Sequence, residues 1–148
     1  MPVFKHILVP TDGSEGSLRA AATAVALAKS TGARITGFFA APPATPIVFG
    51  AFLPAAYLPP EEHAAVIARM TQAHLGAIRK LAEAADVRFA GVYETSDFPA
   101  EAILDIAAKY HCDLICIAPH SRHGLATLLG SQTQKVVANA TVPVLVVR

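Results

Sequence analysis

Asp113-Leu-Ile-Cys-Ile-Ala-Pro-His-Ser-Arg-His-Gly-Leu-Ala-Thr-Leu-Leu-Gly-Ser131 holds the transition on which the fold turns. Residues 113–118 read as a short strand whose residues 114–118 are all apolar, the signature of a strand buried on both faces. A polar turn follows, and Gly130-Ser131 opens a helix expected over 131–139. A strand that feeds a turn and then a helix N-terminus can present backbone N–H groups to an anion, a phosphate above all.

The same alternation extends in both directions. Residues 4–10 (Phe-Lys-His-Ile-Leu-Val-Pro) read as a short buried strand ended by its proline. Thr11-Asp12-Gly13-Ser14 is turn chemistry, with Ser14 placed to cap a helix. Leu18, Ala21, Ala22, Val25 and Ala28 recur at helical spacing to about Thr31, and Gly32 stops the helix. A second strand covers 34–41. Pro60-Glu61-Glu62 suits the first turn of a helix running to about Ala85, with Val66, Met70, Ala77 and Leu81 on one face. A third strand is expected over 87–95. Pro99 opens a third helix with Ile103, Ile106 and Ala107 inward, and the last strand covers 142–147. Strands alternating with helices imply an α/β fold, a parallel sheet with helices on both faces. Ligands of such sheets sit beyond the strand C-termini, where the strand order reverses.

Composition narrows the function classes. The chain has 148 residues, 53% hydrophobic and 16% charged, and one domain over 1–148 is expected. Its net charge is +1 with scattered lysines and arginines, so no basic stripe is present to follow a nucleic-acid backbone. No apolar stretch is long enough to cross a membrane. Lys5 and His6 precede only a short apolar run, so no signal peptide is expected. Cys112 and Cys116 make no disulfide framework, and a reducing, cytoplasmic setting is the expectation. His120-x2-His123 supplies too few ligands for a zinc site, and no metal site is expected.

Several segments together resemble the universal stress protein family. They are His6-Ile-Leu-Val-Pro-Thr-Asp-Gly-Ser14, Ser121-Arg-His-Gly-Leu125, Gly130-Ser131-Gln-Thr-Gln-Lys-Val and Val142-Pro-Val-Leu-Val-Val-Arg148. The resemblance covers nearly the whole chain. It implies a single-domain, open five-stranded parallel sheet in the order 3-2-1-4-5, of the adenine-nucleotide α-hydrolase-like type, and a homodimer. Members that bind ATP resemble Gly-x2-Gly-x9-Gly-Ser/Thr after the fourth strand. In this chain Ala118 and Ser121 stand at the first two glycines, with eight residues before Gly130, and the Gly130-Ser131 end is intact. Counted back from Gly130, Ile117 and His120 fall at those places instead. A serine at a positive φ costs about 1–2 kcal/mol, a weakening of about 5- to 30-fold. Side-chain donors on His120, Arg122 and His123 would offset it.

The resemblance implies a stress-response regulatory protein that binds ATP or another adenine nucleotide, with magnesium arriving alongside the phosphates. By position, Pro10, Thr11, Asp12 and Ala40 would contact base and ribose. Ile117, Ala118, His120, Ser121, Gly130, Ser131, Gln132 and Thr133 would line the ribose-phosphate side. Asp12 has a second reading, as a turn residue bonding its own backbone. The 130–133 helix start, with a hydroxyl cap, likewise reads as a phosphate seat or as an ordinary cap. The segment 42–60 is rich in proline, yet too apolar for a solvated linker. It reads as a lid or partner surface, or as a loop packed on its own domain. Strand 142–147 would be a sheet edge, covered by a second copy across a two-fold axis or by the chain's own loops. No Gly-x4-Gly-Lys-Ser/Thr and no Gly-x-Ser-x-Gly occurs, so any ATP turnover is expected to be slow. The alternative reading is a nucleotide-free dimeric interaction protein of the same family, and in either case a regulatory protein partner is expected.

Overall fold

Ile7, Leu8 and Val9 have no exposed surface, so the first strand is covered on both faces. The computed structural model describes residues 3–43, 59–119 and 129–148, so His120, Ser121 and most of the 42–60 segment lie outside the described residues. Its elements are β1 (His6–Thr11), α1 (Glu15–Thr31), β2 (Arg34–Ala41), α2 (Pro60–Ala84), β3 (Phe89–Thr95), α3 (Pro99–Lys109), β4 (Leu114–Ile117), α4 (Ser131–Asn139) and β5 (Val144–Val146). The strands form one sheet in the order β3-β2-β1-β4-β5, every pair parallel, as the resemblance implies. The order reverses between β1 and β4.

The two-residue period of the strands divides the core. Ile7, Val9, Ile35, Leu114 and Cys116 face α1 and α2, whereas Leu8, Phe38, Ile115 and Ile117 face α3 and α4. In α1 the buried face is Ser17, Ala20, Ala21, Ala24, Val25 and Ala28. Small side chains bring this helix close to the sheet, and Cys116 Sγ reaches the Ala20 carbonyl at 3.4 Å. Leu18 and Ala22, expected inside, are exposed. In α2 the buried residues are Ile67, Leu75, Ile78 and Ala82, about one position round from the expected Val66, Met70, Ala77 and Leu81. Those four lie half-buried at the border of the contact. Ile103, Ile106 and Ala107 of α3 are inward as expected.

Pro10 does not end β1, which continues to Thr11. The reason is directional. The Lys5 carbonyl accepts from Arg34 N of β2, and the His6 carbonyl from Asp113 N, just before β4. Successive residues thus alternate between the two neighbours, and Pro10, in phase with His6, turns its missing donor toward β4. Pairing with β4 extends only over Ile7↔Leu114 and Leu8↔Ile115, so no ladder bond is lost there. The last strand is shorter than expected, at Val144–Val146.

Helix ends follow from local chemistry. Ser14 Oγ accepts from Ser17 N at 3.1 Å, and Gly32 ends α1 with φ +78°. The ends of α2 and α3 also place a residue in the left-handed position, but without glycine and with a second backbone bond. Asp86 N and Val87 N donate to the Glu83 and Ala82 carbonyls, and His111 N and Cys112 N to those of Ala108 and Ala107. This is the Schellman pattern, with Asp86 at φ 57° and His111 at φ 55° in the left-handed position.

Candidate functional site at the C-terminal rim

The rim between β1 and β4 is built from three tight connections. The first is the turn that leaves β1. Asp12 Oδ1 accepts from Ser14 N at 2.9 Å and also from Ser17 Oγ, while Asp12 N donates to Ser17 Oγ at 3.3 Å. Gly13 N donates to Thr11 Oγ1 at 3.1 Å, and Gly13 takes φ +82°. Asp12 is exposed on this turn, and its carboxylate also organises the turn on which it stands. Both readings of Asp12 are therefore compatible with its setting.

The second connection joins α1 to the end of β4. A Cβ placed on Gly16 would lie 3.6 Å from the Ala118 Cβ, so the first turn of α1 rests on the last residues of β4. Ile117 and Ala118 are buried, and Pro10 is buried beside them in β1. Ala40 is half-buried near the end of β2, next to Phe39, which pairs with Thr11.

The third connection fastens the start of α4. Thr133 Oγ1 donates to the Ala118 carbonyl at 2.9 Å, and Ala100 N donates to Gln132 Oε1 at 3.0 Å. These bonds anchor α4 to the end of β4 and to the first turn of α3. The N-cap is Gly130, extended at φ −63° and ψ 158°, with no side-chain cap, so the expected hydroxyl cap is absent: Ser131 is the first helical residue and is exposed. A glycine cap leaves the helix end open to an approaching group. The side chains of Gln132 and Thr133 work in anchoring, and what they add to a ligand seat is placement of the backbone around them. The structure thus brings together Pro10, Thr11, Asp12, Ala40, Ile117, Ala118, Gly130, Ser131, Gln132 and Thr133 along one end of the sheet. The residue that the sequence pattern missed is His74, whose ring contacts both Gly13 and Phe39.

The two cysteines, in β4 and just before it, are buried. Burial pushes the Cys116 thiol up to about 11, and burial followed by the Asp113 carboxylate does the same for Cys112. Among the described residues, no group of three or more histidine, cysteine or acidic side chains could hold a metal ion. Among them also, no helix is long and apolar enough to cross a membrane.

Comparison with known proteins gives the class. The model of the Universal stress protein family matches residues 4–148, and the chain belongs to this family. It is 37% identical over 147 residues to the "Universal stress protein in QAH/OAS sulfhydrylase 3'region" of Thermus aquaticus, covering 99% of this chain and 100% of that one. Among solved structures it resembles a universal stress protein in complex with cAMP, at TM-score 0.68 and 23% identity, covering 98% of this chain and 97% of the other. It also resembles the universal stress protein from Archaeoglobus fulgidus in complex with dAMP, at TM-score 0.65 and 16% identity over the full length of both. At these identities the likeness to solved structures is one of fold.

Proposed function

We propose that this chain binds an adenine nucleotide at the C-terminal rim, across the crevice between β1 and β4, and acts as a regulatory module in a homodimer. The observation that carries this reading is the glycine-capped start of α4, held at the end of β4 by the Thr133–Ala118 bond and against the first turn of α3 by the Gln132–Ala100 bond. Helix N-termini in that position favour phosphate. Family members of the same fold have been solved with cAMP and dAMP. ATP is the ligand assigned here, with magnesium carried on its phosphates. Asp12 and Ala40 take the nucleoside end, and Gly130, Ser131 and Gln132 the phosphate end.

The homodimer reading rests on β5. It is a sheet edge with Leu145 exposed, and Val137 of the adjoining α4 is exposed as well. A second copy paired across a two-fold axis would cover both. The nucleotide-free reading also has an observation in its favour: the Asp12 carboxylate is already engaged by Ser14 N and Ser17 Oγ.

The test is direct. Protein purified without added nucleotide is denatured, and the supernatant is resolved by chromatography with mass detection. A released adenine nucleotide in a fixed ratio to protein supports the proposal. No release, combined with no protection of the native protein from thermal unfolding by ATP, supports the nucleotide-free reading.

A further inference from the structure

His74 stands where two separate pieces of the rim meet. A Cβ built on Gly13 would fall 2.1 Å from Cε1, 2.5 Å from Nδ1 and 2.6 Å from Nε2 of the His74 imidazole. The ring therefore fills the volume that any side chain at position 13 would need. The same ring meets Phe39 edge-to-face, with centroids 4.9 Å apart and planes at 87°. Phe39 is buried in β2, pairs with Thr11 of β1 and immediately precedes Ala40. His74 comes from α2, an element that carries none of the motif residues, and it touches both the Asp12-Gly13 turn and the end of β2.

This contact has a mechanical consequence. Gly13 sits in the left-handed region at φ +82°, a conformation that its neighbours must hold in place. Its N–H is bonded to Thr11 Oγ1, and the next N–H, on Ser14, is bonded to Asp12 Oδ1. A shift of the Gly13 backbone therefore moves the atoms that aim the Asp12 carboxylate. The ring of His74 is the surface against which Gly13 rests. Phe39, buried among Ala41, Ile67 and Leu75, gives that ring a firm backing.

We infer that His74 is a positioning residue of the nucleotide site: its ring, held between Phe39 and Gly13, sets the Asp12-Gly13 turn for the nucleoside end of the ligand. The role rests on the nucleotide reading above, and it adds α2 to the elements that determine affinity. Because the ring acts by filling a space between an aromatic edge and a glycine backbone, phenylalanine can replace it and a small or aliphatic side chain cannot.

The experiment is a double-mutant cycle on nucleotide affinity, measured by calorimetry, with a thermal melt of each variant. His74→Ala should weaken binding about tenfold, and His74→Phe should stay within about threefold of the parent. If the His74→Ala protein does not fold, His74→Leu takes its place, with the same expected loss. In an Asp12→Ala background the His74→Ala change should cause no further loss, because the turn then has no carboxylate to aim. Binding by His74→Ala equal to that of the parent overturns the inference and leaves the nucleotide reading standing. So do losses that add across the cycle, and so does a loss in His74→Phe as large as in His74→Ala. A parent protein that takes up no nucleotide overturns both.

Discussion

Thr133 Oγ1 donates to the Ala118 carbonyl at 2.9 Å, so the first turn of α4 is fastened to the end of β4 by a buried side chain. The bond crosses the segment that differs from the family's glycine pattern. It fixes where the helix N-terminus stands relative to the sheet, whatever the intervening residues do.

Thr133→Val keeps the shape and removes the donor. The Ala118 carbonyl then loses a buried partner, which costs about 1–3 kcal/mol of folding stability. Urea denaturation measures this as a lower midpoint at unchanged slope. Nucleotide affinity falls with it, because the helix start is no longer tied to the rim.

His6 predicts acid sensitivity at the opposite end of the sheet. Its ring is buried, and Nε2 shares a 2.6 Å hydrogen bond with Thr36 Oγ1. Burial first, and then the Arg34 guanidinium, hold its pKa below the ordinary 6.5, while a hydrogen bond with the Tyr110 backbone and then the Asp113 carboxylate pull it the other way. The unfolded chain therefore binds the proton more readily than the folded one. Stability is complete above pH 6.5 and declines as pH falls from there through the lowered folded value. Urea midpoints between pH 8 and pH 5 should show this decline, and His6→Gln should flatten it. A parent whose midpoint does not change in that range contradicts the assignment.

His111 holds the left-handed position that ends α3, at φ 55°, where glycine is the unstrained choice. His111→Gly should stabilise the fold by about 0.5–1 kcal/mol, the relief of strain being partly offset by greater freedom of the unfolded chain. Chemical denaturation settles the sign. A destabilised variant would show that the imidazole makes contacts worth more than the strain.

Cys112 and Cys116 are both buried, with thiols pushed up to about 11 by burial. The thiolate is the reactive form, so neither reacts near neutral pH in the folded protein. A thiol-specific chromogenic reagent at pH 8 should label neither cysteine in the native state and both in denaturant. Rapid labelling of the native protein would mean that the α3–β4 region opens.

Much of this architecture is legible in the residues. Pro60 and Pro99 sit at the first turns of α2 and α3, Ser14 and Gly32 bracket α1, and Ser131 begins α4. The unbroken apolar runs at Ile7–Val9 and Leu114–Ile117 mark the two central strands. Helix faces were harder to read, for a physical reason. In α1, alanines occur on every side, so apolar spacing does not single out the face that packs closest, and Leu18 falls outside. Pro10 reads as a terminator unless it is known which neighbour its nitrogen faces. The ends at Asp86 and His111 carry no glycine to announce a left-handed residue. His74 was out of reach altogether, since its contact with Gly13 is made by the packing of α2 and leaves no local pattern in the sequence.

The start of α4 and the Asp12 turn are proposed to seat an adenine nucleotide together. Calorimetric titration of the folded protein with ATP and magnesium tests it most directly. A saturable heat corresponding to one nucleotide per chain is expected, with a dissociation constant at or below about 1 mM that rises about tenfold or more in Asp12→Ala. A flat titration at millimolar ATP, from protein that melts cooperatively, would contradict it.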